Sequence, residues 1–231
     1  MVNKKLSNRL TACLEALAPS KTIADIGTDH AYLPCFGIAT GKLKSAIAID
    51  VIEGPLMQAR STIKDYGLEN HIEVRQGSGL EPLKHAEVEG IVIAGMGGKL
   101  ISQLLTDSIT IAKSVKKLVL QPNAGDHILR KMLFENNFEI IDEKLILEDG
   151  HLYPIIVAIP ESPQKYSSDD IMFGPILKLN VTNPLFIMKC EREIIKIDTV
   201  LNNLPENHPR ILHFKEQKQQ IRNVMRHDSS Q

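Results

Sequence analysis

Apolar residues in the first 160 positions come in two textures. Short runs rich in Ile, Val, Leu and Ala are followed by segments in which apolar residues recur every three or four positions. The first texture predicts buried strands and the second amphipathic helices. Strands are expected at Thr22–Ile26, Ser45–Asp50, Ile72–Arg75, Gly90–Ala94 and Lys117–Leu120. The helices between them are expected at Ala31–Ala39, Glu53–Tyr66, from Lys99 to Leu105, and at Asp126–Asn136. Pro34 must then sit in the first turn of its helix, where a missing N–H is harmless. Gly67 closes the helix before it. Two more β-like stretches, Phe138–Leu147 and Leu152–Ile159, end the unit as an antiparallel pair, and Leu6–Leu17 reads as an amphipathic helix ahead of it. This order predicts an α/β fold, a mostly parallel seven-stranded sheet with helices on both faces.

After residue 160 the pattern changes. Glu161 to Asp170 is polar and contains Pro163. A helix follows from about Pro184 to Leu204, with Ile187, Ile194 and Leu201 seven residues apart and Ile197 and Leu204 beside them. Pro205 and Pro209 interrupt it, and a second helix runs from about Ile211 to Met225, with Phe214, Ile221 and Met225 on one side. The pair reads as an antiparallel hairpin. The expected domains are therefore residues 1–160 and a small helical one, 161–231, whose tip Asp228–Gln231 reads as frayed.

Composition narrows the function. The chain has 231 residues, 43% of them hydrophobic, with 27 Lys/Arg against 28 Asp/Glu and a net charge of −1. That is ordinary globular composition with no bulk attraction for nucleic acid, which leaves room only for a local patch. Such a patch exists in the last helix, where Arg210, Lys215, Lys218, Arg222 and Arg226 face only Glu216. Lys4, Lys5 and Arg9 form a smaller basic group. Three scattered cysteines give neither a disulfide framework nor a zinc motif, and no His spacing suggests a metal. No apolar run approaches the ~20 residues of a membrane span, and no signal peptide is evident. The expectation is a reduced, cytoplasmic protein without metal, and a monomer in the first instance.

The sharpest local signal is Asp25-Ile26-Gly27-Thr28-Asp29-His30-Ala31, between the first strand and its helix. A tight Gly turn there lets the chain approach a bound cofactor. A dinucleotide fingerprint requires G-x-G-x-x-G, but here Asp29 and Ala31 stand at the later glycine positions. Two carboxylates disfavour a diphosphate and favour a cationic ligand such as S-adenosylmethionine. The alternative is a purely structural turn. Asp50 ends the second strand, where a carboxylate can take the hydroxyls of a ribose in either kind of cofactor or cap a helix. Gly77-Ser78 follows the third strand, either beside an adenine ring or as an ordinary turn.

Ile93-Ala94-Gly95-Met96-Gly97-Gly98, Leu120-Gln121-Pro122-Asn123 and Asp25 through Pro34 together resemble the bacterial tRNA (adenine22-N1)-methyltransferase family. Glu148-Asp149-Gly150, Tyr153 and Phe173-Gly174-Pro175 are similar to it as well. The resemblance covers essentially the whole chain. It implies a Rossmann-like class I methyltransferase domain and a small coiled-coil-like helical domain. It also implies S-adenosyl-L-methionine as cofactor and tRNA as partner. Asp25, Gly27 and Asp29 would line the methionine side, Asp50 the ribose, Gly77 and Ser78 the adenine, and Gly95, Met96 and Gly97 the floor. His30, Gln121, Pro122 and Asn123 would lie toward the substrate base.

The chemistry adds its own constraints. N1 of neutral adenine carries an in-plane lone pair and no proton, so it attacks without a general base. The product is cationic at N1, and a carboxylate nearby would stabilise that charge. Asp29 is the first candidate, unless it serves the cofactor instead. Asn123 offers a donor and an acceptor to a base edge, or is a turn residue. His30 either positions the base or caps the helix, and Tyr32 either stacks on the base or packs at the helix start. N1 lies on the pairing edge, so the adenine must be unpaired or extruded. The basic helix would then grip phosphates, unless it is only a solvated face. Two other function classes fit the residues alone. One is a methyltransferase for a small molecule or protein, and the other is a non-catalytic RNA-binding module on the same fold.

Overall fold

The computed structural model describes residues 6–161, 165–205 and 207–226. The chain forms two compact units, divided between Tyr166 and Ser167. In the first, the order is α1 (Asn8–Ala16), β1 (Thr22–Ile26), α2 (Tyr32–Ala39), β2 (Ser45–Asp50), α3 (Glu53–Asp65), β3 (Ile72–Gln76), β4 (Gly90–Met96), α4 (Gly98–Asp107), α5 (Ile109–Ala112), β5 (Lys117–Pro122), α6 (Asp126–Glu135), β6 (Phe138–Glu148) and β7 (His151–Pro160). The seven strands make one sheet in the order β3-β2-β1-β4-β5-β7-β6. The first five are parallel, while β7 pairs antiparallel with both β5 and β6. This is the Rossmann-like class I methyltransferase fold.

The parallel strands carry almost no exposed residue, as expected where both faces are covered. Ile23, Ala46, Ala48, Val92 and Val119 pack on one face with α1, α2 and α3 residues such as Leu14, Leu33 and Ile63. The alternate residues, Ile26, Ile49, Ile93 and Leu120, are buried on the other face. Pro34 does fall in the first turn of α2, and α3 ends at Gly67 in the left-handed region, φ +65°. Ser7 caps α1 by accepting from Leu10 N–H at 3.2 Å, and Lys117 donates to the carbonyls of Ala16 and Ala18 after its last turn. The β3–β4 connection contains no helix; Arg75 braces it through the carboxylates of Glu73 and Glu87.

β6 departs from strict alternation. A bulge between Ile140 and Asp142 leaves Ile141 exposed and turns Glu143 inward. There Glu143 accepts from Arg130 Nε of α6 at 2.8 Å, and the fully buried Arg130 also lies 3.1 Å from Asp126, the first residue of α6.

The second unit holds α7 (Ser168–Phe173), a 3₁₀ turn at Leu177–Leu179, α8 (Pro184–Asn202) and α9 (Ile211–Arg226). α7 begins inside the polar stretch Glu161–Asp170 and runs three residues beyond it. Its signal is a capping box in which Ser167 and Asp170 bond each other's backbone N–H. The buried residues of α8 are Phe186, Cys190 and Ile197 and those of α9 are Ile221 and Val224, whereas the repeat at Ile187, Ile194 and Leu201 is half-buried.

Lys218 needs a correction as a free phosphate contact. It lies on the inward flank of α9 and is paired with Asp198 of α8, so its charge is spent inside the hairpin. Arg210, Lys215, Arg222 and Arg226 are exposed, with the Arg210 guanidinium 5.0 Å from the Phe214 ring centre. Lys4 and Lys5, and the tip Asp228–Gln231, lie outside the described residues. No described helix is long and apolar enough to cross a membrane.

Candidate active site

The carboxyl ends of β3, β2, β1, β4 and β5 lie side by side, and the loops leaving them meet there. A parallel sheet forces this, because every crossover returns the chain to the same edge. Gly77 N–H donates to Asp50 O at 3.1 Å, joining the third and second loops. A Cβ added at Gly27 would lie 2.2 Å from Cε of Met96, so the first and fourth loops touch. Asn123 N–H donates to Met96 O at 2.7 Å, joining the fourth and fifth.

The first loop winds through three left-handed residues, Gly27 (φ +70°), Asp29 (φ +51°) and Ala31 (φ +55°). The N–H groups of Gly27 and Thr28 both donate to Ile49 O, at 2.8 and 3.1 Å, and Ala31 N–H donates to Thr28 O. A diphosphate would need those N–H groups free. Asp25 lies under this turn, 6% exposed, and accepts from Thr28 Oγ1 at 2.7 Å. Burial pushes its carboxyl up to about 6; the Thr28 bond opposes the shift and the Asp50 charge adds to it. Asp50 Oδ1 accepts from Ile52 N–H at 3.0 Å, which leaves the carboxylate further acceptor sites. Ser78 is exposed beyond Gly77.

Asp29 points to solvent, its side chain 70% exposed, 3.6 Å from His30 Nε2. The His30 ring stacks on Tyr32, with ring centres 5.1 Å apart and planes 15° apart. The helix-cap reading of His30 does not hold. The cap residue of α2 is Ala31, with no side-chain cap bond.

The fourth and fifth loops share one amide network. Gln121 Oε1 accepts from Gly95 N–H at 3.0 Å and from Arg9 Nη1 at 2.5 Å. Gln121 Nε2 donates to Asn123 Oδ1 at 3.2 Å, and Asn123 Nδ2 donates to Gly95 O at 2.7 Å. Gln121 is wholly buried and Pro122 is buried as well. Both side chains are therefore covered by protein, and of the three residues Gln121, Pro122 and Asn123 only Asn123 is exposed. Asn123, Gly95 and Gly97 remain exposed, and a Cβ at Gly97 would meet nothing within 4 Å. Arg9, grouped by sequence with Lys4 and Lys5 as a surface cation, is turned into this network instead. Gly98, the last residue of the Gly95–Gly98 run, has a packing role that nothing local marks. A Cβ there would fall 2.2 Å from Gly125 O, so the two loops pack backbone on backbone.

The family model described as tRNA (adenine(22)-N(1))-methyltransferase matches residues 23–228. The Bacillus subtilis protein of that name is 34% identical over 209 residues, covering 87% of both chains. The chain belongs to this family, TrmK. Among solved structures, M. capricolum TrmK with S-adenosyl-homocysteine aligns at TM-score 0.87 and 29% identity, covering 96% of this chain and 98% of its own. The Streptococcus pneumoniae protein Sp1610 with S-adenosyl-L-methionine aligns at TM-score 0.88 and 33% identity, covering 96% of this chain and all of that one.

As a TrmK member the chain is an enzyme that uses S-adenosyl-L-methionine to methylate N1 of adenine in tRNA. The donor set at the sheet edge suits that cofactor. The loop that would repel a diphosphate carries two carboxylates, Asp25 and Asp29, which suit a cation, and Gly27 holds its turn at φ +70°, where a side chain would be strained. Among the described residues no group of three or more His, Cys, Asp or Glu could hold a metal ion.

Proposed function

We propose that this chain methylates N1 of adenine 22 in tRNA, and that the convergence of the first, fourth and fifth loops at the sheet edge carries the reaction. Asp25, Gly27 and Asp50 hold the cofactor, with Gly77 and Ser78 beside its adenine and Gly95, Met96 and Gly97 beneath it. The cofactor, when bound, supplies a methyl group on a sulfonium. Asn123 keeps one donor and one acceptor beyond its internal bonds, enough to hold the N6 and N7 edge of an adenine and leave N1 free. Asp29, exposed at the mouth, faces the charge that develops on the ring. His30 and Tyr32 act as one stacked unit, and His30 offers its open face to the base. Gln121 and Pro122 support Asn123 from below. In the second unit, Arg210, Lys215, Arg222 and Arg226 contact tRNA phosphates. The reaction belongs in the cytoplasm, which suits three buried free cysteines.

The test is direct. Purified protein, S-adenosyl-L-methionine and unmodified tRNA should yield 1-methyladenosine at position 22, read by nucleoside digestion and primer extension. An adenine-to-guanine change at 22 should abolish it. Methylation that persists at another adenine of that tRNA would overturn the position.

A further inference from the structure

Arg9 comes from α1, ahead of the sheet, yet it reaches into the network that shapes the fourth and fifth loops. Its backbone N–H donates to Glu148 Oε1 at 3.2 Å, and its Nε lies 3.8 Å from Glu148 Oε2. Its guanidinium carbon lies 5.4 Å from the Tyr153 ring centre. Glu148 ends β6 and Tyr153 lies near the start of β7, so the tip of that hairpin holds the arginine from behind. Held there, Nη1 has one partner in front, Gln121 Oε1.

The consequence is chemical. A side-chain amide is nearly symmetric in shape, so its partners decide which end is oxygen and which is nitrogen. Gly95 N–H and Arg9 Nη1 are both donors, so Gln121 must turn Oε1 toward them and Nε2 toward Asn123. That in turn sets Asn123, with Oδ1 toward Gln121 and Nδ2 on Gly95 O. The bond from Arg9 is charge-assisted and the strongest of the set. Glu148 balances the guanidinium charge, so the arginine adds little net positive potential where the ring becomes cationic.

We propose that Arg9, held by Glu148 and Tyr153, is a positioning residue for methyl transfer, fixing through Gln121 which atoms Asn123 presents. This rests on the reading of Asn123 as the residue that holds the base.

The test compares Arg9→Met, which keeps the stem and removes the donors, with Arg9→Lys, which keeps the charge and loses the fork. Full-length variants are assayed for kcat and KM with tRNA, for S-adenosyl-L-methionine affinity by calorimetry, and for melting temperature. Arg9→Met should lower kcat by about tenfold or more, with KM and cofactor affinity within about threefold, because misorientation acts on the reacting geometry. Arg9→Lys should recover part of kcat. In an Asn123→Ala background, Arg9→Met should cost less than about threefold further, since both act through one chain of bonds. Loss confined to KM for tRNA would make Arg9 a phosphate contact and overturn the proposal. A full, independent loss in the Asn123→Ala background would overturn it too. If Arg9→Met does not fold, Arg9→Lys decides, and unchanged kcat there overturns the proposal. If Asn123→Ala alone leaves kcat intact, the reading of Asn123 fails, and unchanged kcat in the Arg9 variants then separately refutes Arg9.

Discussion

A carboxyl group buried at the end of a central strand is expensive to ionise. Asp25 has one hydroxyl donor, from Thr28, and its carboxyl is raised from 3.8 to about 6. At 1.36 kcal/mol per pKa unit, that corresponds to about 3 kcal/mol. The folded-state value lies above the unfolded one. Asp25 therefore favours the fold while protonated, below about pH 4, and loses that contribution as pH rises through 6. Asp25→Asn keeps an acceptor for Thr28 and carries no charge. It should melt higher than the parent at pH 7.5 without cofactor, and the gap should close toward pH 4. The same variant should bind S-adenosyl-L-methionine more weakly at pH 7.5, and the parent's affinity should rise between pH 5 and 7. Calorimetry and thermal melts across this range check both, and a melting difference that does not depend on pH would remove Asp25 as its source. Asp25 was legible in the sequence as an acid before a Gly turn. Its burial depends on neighbouring strands and was not.

At the scale of elements, the close pair is Gly98, which opens α4, against Gly125, which precedes α6. The first Cβ at Gly98 would lie 2.2 Å from a backbone oxygen and 2.7 Å from a backbone carbon, with no side-chain rotation to relieve it. Gly98→Ala should therefore destabilise by about 1–3 kcal/mol through forced separation of the two loops. Gly97→Ala, one residue earlier at φ −72° with open space around it, should stay within about 0.5 kcal/mol. Denaturant unfolding of both variants checks the contrast, and equal effects would contradict it. The strands were legible because each buries a contiguous apolar run. β6 was legible as a strand but not in its facing, because the bulge at Ile141 exchanges the two faces halfway along. Nothing local marks Glu143 as buried; its partner, Arg130, is on another element. The capping box of α7 could have been read from Ser167 and Asp170.

For the whole molecule, the near-zero net charge conceals the excess on α9. Arg210, Lys215, Arg222 and Arg226 are exposed, whereas Lys218 is committed to Asp198. Replacing Lys215, Arg222 and Arg226 together by Gln should weaken tRNA binding and flatten its salt dependence. The log–log slope should fall by roughly 0.7–0.9 for each phosphate that is no longer neutralised. Cofactor affinity should not change. A slope equal to the parent's would show that the helix does not meet phosphates. By itself the sequence determined the alternation of strands and helices, the helical hairpin after it, and the loops that carry the chemistry. Those follow from local periodicity and from turn residues, which act within a few positions of themselves. Only the tertiary structure decided that Gln121 is buried, that Arg9 reaches it across 112 residues of chain, and that Lys218 is paired. A long charged or amide side chain takes its role from the partners that desolvate and bond it. Those partners come from distant elements, so the role is settled only when the elements pack.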